Sequence, residues 1–246
     1  MIRIFILLVA LLPASSFAST ILAKAWLITD VQGNVIEQQN MNDVQPIASI
    51  TKLMTAMVVL DSNEDLNEQT KMRKFRGLSV TRHQLLNLAI VHSDNQAADM
   101  LCKIYRRGYK QCIEDMNHKA RVLGMSHTEF YDSTGLDNRN VSNPVDLIKL
   151  LQAAERYPEI IEASQKTVVG LAKKHRRWQF NNTNPLVAKY DVIVSKTGFV
   201  RASGGCLVMS VRIRGEKRYF VVLNSKTTRT RIHDMETLIL GILEKD

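Results

Sequence analysis

The spacing of hydrophobic positions changes character twice along this chain. Residues 25–29 (Ala-Trp-Leu-Ile-Thr) read as an apolar strand, Gly33-Asn34 as a turn and residues 35–37 as the returning strand, so the pattern opens on a hairpin. Past Pro46 the period becomes helical, with Leu53, Met54, Met57 and Leu60 sharing one face of a helix that starts near Ser49. Residues 63–80 are polar and irregular. Thr81 is suited to cap a helix over 82–92 striped by Leu85, Leu88 and Ala89, and helical spacing resumes over 94–105 through Ala97, Ala98 and Leu101. Another amphipathic helix, over 112–123, ends at Gly124. Gly135 and Asn138 mark a loop, Asn143-Pro144 opens a helix to about 156, and Pro158 restarts it.

From about residue 166 the period is two. Residues 192–197 form a strand, Gly204-Gly205 precedes a second over 206–213, and Gly215-Glu216 turns into a third over 219–223. A last amphipathic helix covers about 231–243. This order predicts an α+β (mixed α/β) fold. The opening hairpin and the three late strands form one antiparallel sheet (residues 19–48 and 166–246), and residues 49–165 form a helical part to one side. The cleft between the two parts is the expected place for a site.

The first 18 residues stand outside this pattern. Arg3 makes a short basic start, residues 4–12 are continuously apolar, and Ala14-Ser15-Ser16-Phe17-Ala18 offers small residues for cleavage after Ala18. That is the signature of a secretory signal peptide, and the apolar run is too short to span a bilayer. The competing reading of the same run is an N-terminal membrane anchor. No other segment approaches a transmembrane length, so a periplasmic protein with no transmembrane anchor is expected.

Composition narrows the partners. The 246 residues are 45% hydrophobic, enough for one domain with a substantial core, and the formal charge is +9, or +8 once Arg3 is removed. A basic exported protein suits an anionic polymer such as a cell wall, or an anionic membrane face. No run of Lys and Arg is interleaved with aromatics as in nucleic-acid grooves, so no nucleic acid is expected. The six histidines lack ligand spacing, so neither a metal nor a cofactor is implied. Of three cysteines, Cys206 lies in an apolar strand and reads as a buried thiol. Cys102 and Cys112 are close enough for a disulfide in an exported protein, but spacing does not establish its geometry.

Three short motifs carry the chemistry: Ser49-Ile50-Thr51-Lys52, Ser93-Asp94-Asn95 and Lys196-Thr197-Gly198. Each is weak alone; a lone Ser-x-x-Lys reads more readily as a surface pair beside a helix cap. Together they form a set associated with penicillin-binding proteins and serine β-lactamases. On a helix, Ser49 and Lys52 point the same way, one turn apart. A serine hydroxyl needs a neighbour to take its proton, and a lysine kept neutral by burial and by the charge of Lys196 can do so. Ser93, on a connector between helices, can relay a proton between Lys52 and the leaving amine, and Asn95 can hydrogen-bond a substrate amide. The same three polar residues would also cap the following helix. At a strand end, Lys196 supplies a charge for a substrate carboxylate, Thr197 a hydroxyl donor, and Gly198 room for a peptide to lie alongside as an added strand. The N–H groups of Ser49 and Phe199 would form an oxyanion hole.

Through these motifs the chain resembles the low-molecular-weight penicillin-binding proteins of the D-alanyl-D-alanine carboxypeptidase/endopeptidase family. The resemblance extends over residues 49–56, 85–98, 116–136 and 195–209, with Asn182-Thr183-Asn184 and Gly204-Gly205-Cys206-Leu207-Val208-Met209 pointing to its endopeptidase branch. It implies a β-lactamase/DD-peptidase-like fold, an antiparallel sheet flanked by terminal helices with an inserted helical subdomain. It implies peptidoglycan stem peptides as substrate, an acyl-enzyme on Ser49 resolved by water, and β-lactams as covalent inhibitors. It also implies a carboxylate-binding role for Arg231. The segment between Lys52 and Ser93 is shorter than is usual in the family. A serine β-lactamase would share the motifs, but no Glu-x-x-Leu-Asn precedes the late strands to supply its deacylating glutamate. A carboxypeptidase that trims terminal D-Ala would carry the same motifs, and a peptidoglycan-binding protein without catalytic activity could retain them.

Overall fold

The computed structural model describes residues 20–75 and 77–245; residues 1–18, expected to be a signal peptide, lie outside them. In chain order the elements are β1 (Ala25–Thr29), β2 (Val35–Gln39), β3 (Gln45–Pro46), α1 (Thr51–Asp61), β4 (Gln69–Met72), β5 (Leu78–Thr81), α2 (Arg82–Val91), α3 (Asn95–Lys103) and α4 (Gly108–Val122). They continue with β6 (Val141–Ser142), α5 (Pro144–Ala154), α6 (Pro158–Gln165), β7 (Val168–Lys173), β8 (Arg176–Asn181), β9 (Asp191–Val200), β10 (Gly204–Ile213), β11 (Glu216–Ser225) and α7 (Thr230–Lys245).

The expected sheet forms from both ends of the chain, in the order β2-β1-β11-β10-β9 with every pairing antiparallel. The β10–β11 register pairs Ile213 with Glu216, leaving Arg214 and Gly215, both at positive φ, as a two-residue turn that matches the strand twist. Its central strands are buried on both faces, which is why they read as almost unbroken apolar runs. One face (Leu27, Val194, Val208, Val221, Leu223) packs on the helical part. The other (Trp26, Ile28, Leu207, Met209, Phe220, Val222) packs on Met235, Leu238, Ile239 and Ile242 of α7.

Caps fall where the sequence puts them. Thr81 Oγ1 accepts the Gln84 N–H while Gln84 Oε1 accepts the Thr81 N–H, a complete capping box for α2. Asn143 accepts the Asp146 N–H above Pro144 to start α5. Cys102 and Cys112 form a disulfide with Cα atoms 5.5 Å apart, tying α3 to α4, and Cys206 is a buried free thiol.

Three local features differ from the hydrophobic reading. Helix α1 is not amphipathic but buried all round from Thr51 to Val59, because sheet and helices enclose it on every side. Within the polar stretch 63–80, β4 and β5 pair as a small hairpin. The period-two pattern just after residue 166 belongs to a separate hairpin, β7–β8, rather than to the main sheet. Its apolar residues Val169 and Leu171 join the helical core, and Trp178 and Phe180 lie against Phe75 with ring centroids 5.6 Å away in each case.

Candidate active site

All three motifs converge where α1, the α2–α3 connector and β9 meet. Ser49 lies in a 3-10 turn, Ala48–Ile50, that leads into α1. Ala48 is held at φ 47°, a left-handed conformation uncommon for a residue with a side chain. Two glycines enclose that turn. A Cβ on Gly135, itself at φ 81°, would lie 1.9 Å from the Ala48 carbonyl oxygen. A Cβ on Gly198 would lie 2.8 Å from the Ile47 carbonyl oxygen and 3.1 Å from the Ser49 nitrogen. Gly198 therefore allows β9 to press directly on the turn that presents Ser49.

Lys52 follows one helical turn later and is fully buried. Its Nζ donates to Ser49 Oγ (2.6 Å), Asn95 Oδ1 (2.7 Å) and the Thr134 carbonyl (2.7 Å). Burial lowers its pKa to about 7, against the opposing pull of Asp132 and Asp94. A lysine near pH 7 is partly neutral, so its lone pair can accept the Ser49 proton across the 2.6 Å contact.

Ser93 sits at φ 59°, and its Oγ accepts a hydrogen bond from Lys196 Nζ at 2.7 Å. With that lone pair engaged, the Ser93 proton is free to point elsewhere in the site. Asp94 caps α3 by accepting the Ala97 N–H, and pairs with Lys74 at 2.5 Å. The connector thus serves as a helix cap while its flanking side chains reach the two lysines.

On β9, Lys196 is buried and also donates to the Thr197 carbonyl at 2.9 Å. Its pKa is driven well below the ordinary lysine value, first by burial and then by the charges of Lys52 and Arg231. Thr197 Oγ1 lies 2.6 Å from Thr183 Oγ1. Arg231, at the start of α7, donates from one guanidinium nitrogen to the Gly198 carbonyl at 2.7 Å, while its buried Nε has no partner. Neither Lys196 nor Arg231 faces a carboxylate within ion-pair distance among the described residues. Phe199, half exposed, follows on the same strand, whose outer edge carries no neighbouring strand of the sheet among the described residues.

Every residue singled out by the motifs, and Arg231 with them, is therefore gathered in one place. Residues 116–136 and 182–184 belong to the stretches that carry the family resemblance, but no role in the site is legible there for the loop over 132–135. Asp132 accepts hydrogen bonds from Thr134 Oγ1 (2.5 Å), the Gly135 N–H (2.8 Å) and Asn140 Nδ2 (2.8 Å), and so turns the Thr134 carbonyl towards Lys52. Thr183, bonded to Thr197, likewise belongs to the site.

A buried lysine whose pKa is held near 7 against a serine hydroxyl, beside Lys196 and Arg231 with no carboxylate in reach among the described residues, is an arrangement that can run acyl transfer at that serine. Residues 13–227 match the family described as D-alanyl-D-alanine carboxypeptidase, peptidase S11, and the chain belongs to that family of serine peptidases. It is 37% identical over 230 residues to the D-alanyl-D-alanine endopeptidase of Escherichia coli K12, and 36% identical over 230 residues to that of Pseudomonas aeruginosa. Each match covers 86% of this chain and 74% of the relative. Among solved structures, penicillin-binding protein D2 of Listeria monocytogenes in its ampicillin-bound form superposes with a TM-score of 0.81 at 28% identity, over 90% of this chain and 97% of that one. The Streptomyces K15 DD-transpeptidase reaches 0.82 at 26% identity with the same coverage.

Proposed function

We propose that this protein is a serine D-alanyl-D-alanine endopeptidase that opens peptidoglycan peptide cross-links through an acyl-enzyme on Ser49. The observation that carries this reading is the 2.6 Å contact between Ser49 Oγ and a buried Lys52 whose pKa lies near 7. Neutral Lys52 takes the Ser49 proton as Oγ attacks the D-Ala carbonyl carbon. The developing oxyanion is received by the N–H groups of Ser49 and Phe199. As the C–N bond breaks, the proton on Lys52 passes through Ser93 to the departing amine. Water then attacks the ester carbonyl, Lys52 takes its proton and returns it to Ser49 Oγ as the C–O bond breaks, and the peptide acid leaves.

The remaining residues hold the substrate. Its backbone lies along the free edge of β9, next to Thr197 and Phe199. The amide nitrogen of Asn95, whose oxygen is engaged by Lys52, donates to the peptide. The carboxylate beside the scissile bond meets Lys196, Thr197 and Arg231, which have no anion of their own. β-Lactams acylate Ser49 by the same route. Export to the periplasm, with removal of residues 1–18, agrees with the Cys102–Cys112 disulfide, which an oxidising compartment allows. Among the described residues no helix is long and apolar enough to cross a membrane.

A carboxypeptidase is the second reading, because the same unpaired cations would equally receive the terminal carboxylate of an uncross-linked D-Ala-D-Ala peptide. Digestion of purified cross-linked and uncross-linked muropeptides separates the two. Loss of dimers is expected; loss of terminal D-Ala alone would assign a carboxypeptidase.

A further inference from the structure

The β7–β8 hairpin has two chemically different sides. Its underside is apolar and fixed: Val169 and Leu171 are buried, and Trp178 and Phe180 stack on Phe75. Its tip is the run Lys173-Lys174-His175-Arg176-Arg177, exposed throughout. Residues 163–190 contain six lysines and arginines and no aspartate or glutamate. Lys166 and Lys189 at the ends of that stretch pair with Glu162 and Glu236, but Lys174, Arg176 and Arg177 have no acidic partner among the described residues. The register pairs Lys173 with Arg176, which leaves Lys174 and His175 as the turn, with Lys174 at φ 51°. Glycine or asparagine takes that conformation with less strain, so the turn holds a cation where local backbone preference favours a neutral residue.

The hairpin rises from the rim of the active site. Phe180 packs on the ring of His92, the neighbour of Ser93, at 4.8 Å, and the Asn181 carbonyl lies 3.2 Å from His92 Nδ1. Two residues on, Thr183 donates its N–H to Val91 and meets Thr197 Oγ1. At about 3.3 Å per strand residue, the tip stands roughly 20 Å from Thr183. That is too far to touch the bond being cut, and the right distance to meet another part of the same polymer.

We infer that this hairpin is a docking arm for the peptidoglycan polymer, its tip engaging carboxylates of stem peptides next to the one in the cleft. The inference rests on the proposed function and adds how a polymeric substrate is held. Exposed charges of this kind govern encounter and salt sensitivity more than chemistry. The arm therefore promotes binding of intact sacculi without altering acylation at Ser49.

The test compares wild type with the triple variant Lys174→Gln, Arg176→Gln, Arg177→Gln, which leaves the apolar underside intact. Binding to purified sacculi is measured by sedimentation between low and high NaCl, and Ser49 acylation by a fluorescent penicillin reports an intact fold and site. The expected result is about a tenfold loss of sacculus binding at low salt, a flatter salt dependence, and unchanged acylation. Equal binding by the two proteins, with normal acylation, would overturn the arm and leave the catalytic reading standing. Sedimentation with phosphatidylglycerol vesicles that depends on the tip, while sacculus binding does not, would also overturn it and assign the arm to a membrane surface. Failure of wild type to acylate would instead remove the catalytic reading on which the arm rests.

Discussion

Replacing Lys52 with methionine separates the cost of burying this lysine from its use. An ordinary lysine holds its proton to about pH 10.5, whereas Lys52 in the folded protein releases it near 7, chiefly because burial disfavours the charge. The difference, at about 1.4 kcal/mol per pH unit, opposes folding by on the order of 4–5 kcal/mol below pH 7. Between pH 7 and 10.5 the unfolded chain binds more protons than the folded one, so stability rises with pH across that window and the penalty fades. Between pH 6 and pH 9 this group alone should add about 2–3 kcal/mol to wild-type stability. Methionine has similar length and no proton, so Lys52→Met loses that component. It also leaves Ser49, Asn95 and the Thr134 carbonyl without their donor, at about 1 kcal/mol each, a loss that does not vary with pH. Lys196 is present in both proteins and keeps the burial that chiefly depresses it; losing the Lys52 charge lets its pKa rise, which adds to the variant's gain at acid pH in the same direction. Urea unfolding of the two proteins at pH 6, 7, 8 and 9 reads the difference, and the variant should be catalytically dead while its stability gains on wild type towards acid pH. Parallel stability curves would show that Lys52 keeps an ordinary pKa and would remove the physical basis for its role as base.

Three further outcomes follow from the same geometry. Because only neutral Lys52 accepts the Ser49 proton, the second-order rate of acylation should rise about tenfold from pH 6 towards pH 8 and then level off; a flat or falling profile in stopped-flow measurements contradicts the assignment. Gly135→Ala puts a Cβ into the Ala48 carbonyl at a positive φ, and should lower stability by about 3 kcal/mol or more and slow acylation together; a melting temperature within a degree of wild type would show that the turn holding Ser49 is not braced there. Removing the short-loop disulfide with Cys102→Ala and Cys112→Ala should lower stability by about 3 kcal/mol in denaturant titration, and no change would mean that α3 and α4 hold their positions without it.

Much of this molecule is legible in its sequence because local chemistry and tertiary structure agree. Thr81 with Gln84, and Asn143 with Pro144, announce helix starts that the fold uses unchanged. The late strands are apolar on both faces because α7 covers one and the helical part the other, and Gly204 and Gly215 stand at positive φ in their turns, beside Arg214, which takes the same conformation without being glycine. What stays hidden depends on contacts distant in sequence. Thr51 and Thr55 look like the solvated face of a surface helix, yet partners from residues 132–140 let both be buried. Asp132 resembles any loop aspartate until the hydrogen bonds its carboxylate accepts from Thr134, Gly135, Leu136 and Asn140 aim the Thr134 carbonyl at Lys52. The alternation in 168–181 specifies a hairpin but not which sheet, since its partner is itself and its apolar side could have faced either part of the fold. Gly198 suggests room for a substrate in the sequence, and its nearer constraint in the fold is the backbone of the Ser49 turn.

The most direct measurement is the site of covalent modification by a β-lactam. After incubation with penicillin at pH 8, peptide mass spectrometry should place one penicilloyl adduct on Ser49, lost in Ser49→Ala and severely reduced in Lys52→Met. An adduct on another residue, or equal labelling of Ser49→Ala, would contradict the account at its centre.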